Sequence, residues 1–123
     1  VQDFMRFAQM LLNNGVLDKQ RILGRKTVEL MHANHLPAEL LPMEIGGKQY
    51  DGYGFGLGSR TMVNVGAAGT PGSVGEFGWS GAATTYYWID PAEALIGIFM
   101  AQYHGMDEPD RDFRVLVYQA IVD

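Results

Sequence analysis

The sequence predicts an α+β fold: helices lead and close the chain, and three antiparallel strands between them form a sheet that the last helix can cross. Three observations carry this. Apolar residues recur at helical spacing near both ends, a β-branched and aromatic run reverses at Asp90 and Pro91, and Tyr53 to Val65 alternates between aromatic or aliphatic residues and glycine.

Val1 to Asn13 places Val1, Phe4, Ala8, Leu11 and Leu12 on one helical face, and Asn13, Asn14 and Gly15 supply residues that tolerate the left-handed backbone ending a helix. The connector VLDKQRIL leads to a second helix from about Arg25 to His32, with Val28 and Met31 inward and Gly24 at its cap. His35 to Tyr50 contains Pro37, Pro42, Gly46 and Gly47 without a clean period, so a long surface connection is expected. In Tyr53 to Val65, read as one strand, Tyr53, Phe55 and Leu57 share a face, and something must pack closely against Gly54, Gly56 and Gly58 opposite. That G-x-G-x-G string lies inside a strand and not between a strand and a helix, which argues against a dinucleotide loop. Gly66 to Gly75 is expected as a loop.

A hairpin comes next. Its first strand is expected from Gly81 to Ile89, its turn at Asp90 and Pro91, and its second strand from Ala94 to Ala101, apolar on both faces. The acids between Asp107 and Asp112 suit a helix start, and Phe113, Leu116, Val117, Ala120 and Ile121 form the stripe of a closing helix. Residues 1–35 are thus the helical segment and 50–123 the sheet with its last helix, within one domain.

Composition limits the partners. With 123 residues, 47% hydrophobic and 19% charged, the chain can bury a modest core. A formal net charge of -5 and nine scattered Lys and Arg leave no basic footprint for nucleic acid. The absence of cysteine excludes disulfides and thiolate metal sites. No apolar run reaches the ~18 residues needed to cross a bilayer. The helical register is already running at Val1, without an initiator Met or signal-like segment, so the chain is expected to be part of a longer protein.

The chemistry-bearing stretch is Gly78-Trp79-Ser80-Gly81-Ala82, one residue short of the nucleophile elbow G-x-S-x-G. An elbow serine stands between a strand and a helix, whereas Ser80 is followed by strand-forming residues, and only Asp90, Glu93 and His104 follow as triad partners. Trp79-Ser80-Gly81-Ala82, leading into Tyr-Trp-Ile-Asp-Pro and an apolar strand, instead resembles the third active-site box of the serine β-lactamase and penicillin-binding-protein superfamily. K-T-G is that box in enzymes acting on β-lactams. The similarity is closest to the class C-like branch, including family VIII carboxylesterases. VQDFMRFAQMLLNNGVLDKQRILGRKTVELM resembles the helical segment before the box, and DFRVLVYQAIVD the terminal helix. The resemblance covers essentially the whole chain and implies the C-terminal part of a single β-lactamase-like transpeptidase domain.

Carried over by position, the resemblance implies that Gly81 keeps the strand bare for substrate and that Ser80 supplies a hydroxyl in place of the Thr. The Ala82 backbone N–H would be one oxyanion-hole donor. Trp79 replaces the Lys that would bind a carboxylate, which favours neutral esters over β-lactams and peptides. A small ester or amide is the implied substrate, the rest of the same protein the implied partner, and no metal or organic cofactor is implied. The other boxes are absent from the sequence: Ser59, Ser73 and Ser80 lead to Met62, Glu76 and Ala83 where S-x-x-K needs Lys, and no Tyr is followed two residues later by Asn. Lys26-Thr27-Val28 lacks the box glycine. The nucleophile and its base are therefore expected outside these residues. The competing expectation is a non-catalytic module that binds a ligand or partner through an exposed sheet edge.

Blander roles are expected elsewhere. His32 and His35, at i and i+3 without a third ligand, read as surface helix polarity, and His104 as a loop residue. The methionines fill core gaps, and Tyr86, Tyr87 and Trp88 alternate sides of a strand.

Overall fold

The computed structural model describes residues 1–104 and 109–122. Helix α1 spans Gln2–Leu12 and buries Ala8, Met10 and Leu11, while Val1, expected on the inner face, is 74% exposed. It ends where expected: Asn14 and Gly15 take φ of 52° and 90°, and the Gly15 N–H donates to the Met10 carbonyl at 2.8 Å. Any Cβ on Gly15 would overlap the Leu23 carbonyl, so both space and conformation require glycine here. The connector then forms a small hairpin, β1 (Val16–Leu17) with β2 (Gln20–Arg21), turning through Asp18 and Lys19 at φ of 48° and 66°. Helix α2, Arg25–His32, has the expected bounds and buries Val28.

Two expectations about the middle of the chain are corrected. Residues 35–50 are not one long connection: a 3-10 turn at Ala38–Leu40 precedes a hairpin of β3 (Met43–Ile45) and β4 (Lys48–Tyr50). Gly46 and Gly47 form its two-residue turn, both at positive φ. Nor is Tyr53 to Val65 one strand. It folds back as β5 (Tyr53–Phe55) and β6 (Arg60–Met62), and Val65–Ala68 is a short helix, α3, capped by the Asn64 side chain on the Ala67 N–H. The close packing expected on the glycine face holds at two positions. A Cβ on Gly54 would overlap the Asn34 side chain and one on Gly56 the Met31 carbonyl, whereas Gly58 faces open space at φ 118° in the turn.

The main sheet therefore has five strands, not three, in sequential antiparallel order β5-β6-β7-β8-β9, where β7 is Phe77–Ser80, β8 Thr85–Asp90 and β9 Leu95–Met100. The β8–β9 turn forms as expected, the Asp90 carboxylate accepting from the Ala92 N–H at 3.0 Å. One sheet face, with Phe77, Tyr87, Ile89 and Ile96, packs on Ala8, Met10, Leu11 and Val28. The other carries Tyr86 and Trp88 toward helix α4 (Pro109–Gln119), whose Phe113 meets Trp88 edge-on at 5.8 Å. Gly97, paired with Trp88, leaves room for that indole, since any Cβ there would overlap it.

The apolar stripe expected of α4 is only partly used. Leu116 is 63% exposed, and the buried residue of this helix is Arg114. The expected acids Asp107 and Glu108 lie outside the described residues. Arg114 forms an ion pair with Glu76 on the approach to β7, both almost fully buried, and donates from Nη1 to Glu76 Oε1 at 2.9 Å. Its Nε–H donates to the Pro71 carbonyl at 3.0 Å, and its Nη1 also reaches the Tyr86 hydroxyl at 3.1 Å. The Tyr118 hydroxyl lies 3.1 Å from Glu76 Oε2 and 2.8 Å from Asp90 Oδ2, so it bridges two buried carboxylates. Burial pushes the Glu76 carboxyl up while Arg114 pulls it down, and burial beside Glu76 raises the Tyr118 hydroxyl well above the usual tyrosine value.

Removing one partner leaves a buried charge without its counterion, so Arg114→Met should lower stability by about 3–5 kcal/mol. Gly97→Ala should cost about 1–3 kcal/mol by forcing Trp88 from its place. Urea unfolding of each variant checks both.

Candidate active site

The Trp79-Ser80-Gly81-Ala82 corner closes a strand and does not open one. β7 ends at Ser80, and the strand-forming residues resume only at Thr85, because Gly81 to Thr84 make the turn between β7 and β8. The Gly81 N–H donates to the Thr85 carbonyl at 2.7 Å and the Thr84 N–H to the Gly81 carbonyl at 3.2 Å. Thr84 adopts φ 59°, and its hydroxyl donates to the Tyr103 carbonyl at 2.8 Å, tying the turn to the chain beyond β9. The strand expected from Gly81 thus loses four residues to a turn that hydrogen bonding makes tighter than the β-propensity of the run suggests. With a strand-to-strand turn after it, Ser80 is not an elbow serine.

The two neighbours of β7 cover unequal lengths of it. β8 pairs with it from Phe77 to Ser80, whereas β6 pairs only with Phe77 and Gly78, since Arg60 opposite Gly78 is the first residue of β6. Backbone directions alternate along a strand. With Gly78 paired toward β6 and the Gly81 N–H bonded toward β8, the backbone N–H and C=O of Ser80 face the side that β6 leaves open. Ala82 lies in the turn, exposed and beyond both ladders.

Side chains divide across this corner. Trp79 shares a face with its partner Tyr87, which meets Phe4 of α1 at 4.9 Å, and the indole also meets Phe55 edge-on at 5.1 Å. Ser80, opposite Tyr86, points to the α4 side. Trp79 and Ser80 are half-buried and Gly81 is exposed. They border a cavity of about 230 Å³ with Phe4, Tyr87 and Met100. All four sequence candidates therefore lie at one sheet corner, with a stretch of strand unpaired on the β6 side, a hydroxyl, a bare α-carbon and an exposed turn residue at Ala82.

The histidines separate. His32 is not a surface residue: its ring stacks on Phe77 at 3.4 Å between centroids, and its Nδ1 lies 3.0 Å from the buried Ser59 hydroxyl. Its Nε2 is buried without a hydrogen-bond partner among the described residues. Burial pushes the imidazole down to about 4. His35 instead uses its Nε2 on the Leu30 carbonyl at 2.8 Å, so the pair shares nothing, and His104 is exposed. Sequence reasoning missed Glu76 and Arg114, which brace the strand entering the corner. An arginine between apolar helix positions and a glutamate two residues before a glycine give no periodic signal.

No protein-family profile matches the sequence. Protein Rv1367c of Mycobacterium tuberculosis (strain ATCC 25618 / H37Rv) is 32% identical over 105 residues, covering 82% of this chain and 26% of that protein. An uncharacterized protein of strain CDC 1551 / Oshkosh matches with the same identity and coverage. The chain thus spans about a quarter of the length of the curated relatives it matches. Among solved structures, EstCE1, a hydrolase with promiscuous acyltransferase activity, superposes with a TM-score of 0.77 at 23% identity, over 95% of this chain and 29% of that one. The chain has a mixed α+β fold that matches a fragment of the β-lactamase-like fold. A novel penicillin-binding protein homologue from Caulobacter crescentus gives a TM-score of 0.70 at 17% identity, over 94% of this chain and 30% of its own. With five strands in the sheet, the fold class expected from the sequence stands and the strand number is corrected.

Because the folded His32 binds its proton only near pH 4 and an unfolded histidine near 6.5, the unfolded state takes up more protons between those values. The contribution of His32 to stability is then complete above about pH 6.5 and is lost as pH falls toward 4. Melting temperatures across this window should fall more steeply for the wild type than for His32→Gln, which can still bond Ser59 but does not titrate.

Proposed function

We propose that this chain supplies one wall of the active site of a serine hydrolase that transfers acyl groups through a serine ester, and that it acts on neutral esters in preference to β-lactams. The observation that carries this is the side of β7 left open beyond Gly78, with the exposed turn residue Ala82 following the end of that strand. A planar acyl group can lie along that strand edge, and Gly81 has no side chain to obstruct it. The nucleophilic serine, with a lysine and a tyrosine to take its proton, belongs to residues outside this sequence, and residues 1–123 form the C-terminal part of the domain.

In this reaction the serine oxygen bonds to the ester carbonyl carbon while its proton passes to the neighbouring base. The carbonyl oxygen becomes an oxyanion between the Ala82 N–H and the nucleophile's own N–H. Donors fixed in place before the reaction stabilise that charge without reorganising. Collapse breaks the bond to the alcohol, which leaves with the proton, and water then releases the acid. In this reading the Ser80 hydroxyl hydrogen-bonds the substrate or the catalytic lysine. Trp79 offers an aromatic wall, braced by Phe55 and Tyr87, where a cation would hold a substrate carboxylate.

A second reading has one observation in its favour. β9 pairs only with β8 among the described residues, so its outer edge is open to a partner strand, as a non-catalytic binding module would need.

The two separate by experiment on the full-length protein with a short aryl ester. Ala82→Pro removes the proposed donor and should lower kcat by roughly 10²–10³-fold, while Ala82→Ser, which keeps the N–H, should stay near wild type. Unchanged turnover in a folded Ala82→Pro protein refutes the oxyanion role. Turnover by these 123 residues alone that vanishes in Ser80→Ala would instead make Ser80 the nucleophile.

A further inference from the structure

A second cavity, of about 250 Å³, lies on the α4 side of the sheet, between the β3–β4 hairpin, α3 and α4. Its wall holds a cation among tyrosine rings. The Arg60 guanidinium is half-buried over the faces of Tyr53 and Tyr86, at 4.7 and 5.0 Å from the ring centroids, with the Tyr50 ring at 6.0 Å. One Nη2–H donates to the Tyr86 hydroxyl at 2.6 Å. That hydroxyl also accepts from Arg114, so it is shared by two cations.

A guanidinium carries five N–H donors in a planar fork. At Arg60 a single protein acceptor is engaged, and no carboxylate of the described residues forms an ion pair with it. Glu76, the buried acid of this region, is engaged by Arg114. Stacking against tyrosine faces holds the guanidinium plane still and leaves its remaining edge for a ligand.

We propose that this cavity binds a small organic carboxylate, its two oxygens on the free edge of Arg60 and its apolar body against Tyr50, Tyr53 and Ala68. The space, roughly eight water volumes, admits a molecule the size of benzoate. The planar fork matches a planar carboxylate in two parallel hydrogen bonds. The wall also carries Lys48, Arg111 and Arg114 beside Asp51 and Asp110, so the preference for an aromatic carboxylate over phosphate comes from the planar fork and the apolar tyrosine faces and not from the charge of the wall. The site is separate from the Trp79–Ala82 corner, although Tyr86 lines both cavities.

The test is thermal unfolding of the full-length protein in benzoate, acetate or inorganic phosphate, each against sodium chloride at equal ionic strength. Benzoate should raise the melting temperature saturably, by about 2–5 °C at tenfold excess over Kd, and acetate should do so more weakly. The shift should vanish in Arg60→Met. Ala68→Phe, which puts bulk into the cavity and keeps Arg60, should abolish it as well and decides the matter if Arg60→Met does not fold. No shift beyond that of chloride, a shift that persists in the variants, or a phosphate effect equal to that of benzoate would each overturn the proposal.

Discussion

The buried pair of Glu76 and Arg114 is the constraint on which the rest of this structure depends. It joins the strand that carries the candidate site to the last helix, across the sheet and 38 residues of sequence. Taking two charges out of water is costly, and the cost is offset only where geometry and further hydrogen bonds satisfy both groups. Here Pro71, Tyr86 and Tyr118 complete the set, and Tyr118 extends it to Asp90 at the far end of β8. One polar network thus fixes where β7 begins and how α4 lies on the sheet.

The accessible end of β7 arises from unequal pairing. Gly78 lets β7 lie close on β8, because a Cβ there would overlap the Tyr87 backbone. β6 gives out after Gly78 because the chain turns at Gly58 and the buried Ser59, and His32 occupies the space beside them by stacking on Phe77 and bonding Ser59. The sheet therefore has a gap at one corner, where β7 continues past the end of β6. Such a gap presents main-chain groups at fixed positions, which suits chemistry that works by orienting donors rather than by supplying a titrating side chain.

Much of this architecture was legible in the sequence, and the misses have physical causes. Helix α2 was readable because Val28 and Met31 share a face, and the β8–β9 turn because Asp90 can bond the backbone ahead of it. The β3–β4 hairpin was missed although Gly46-Gly47 is a two-residue turn signal, because its strands, Met-Glu-Ile and Lys-Gln-Tyr, are three residues each and too short to show a period. The split of β5 from β6 was hidden by glycines that pack against neighbours at Gly54 and Gly56 but turn the chain at Gly58. In α4 the stripe pointed to Leu116, yet a fully hydrogen-bonded guanidinium at position 114 takes the buried place. Periodicity counts apolar residues and cannot see a charge buried with its partners.

The residue types around the corner, a small hydroxyl side chain and two small residues after a tryptophan, were fixed by the sequence alone, as were the helical ends and the turn at Asp90. These are local properties, set by side-chain size, spacing and backbone preference over a few neighbours. That β6 stops two residues before the end of β7, that Ala82 lies outside both ladders, and that Arg60 faces a cavity without forming an ion pair to a carboxylate of the described residues were decided only by the tertiary structure. Each depends on where strands end relative to one another, and strand register is set by contacts between segments distant in sequence.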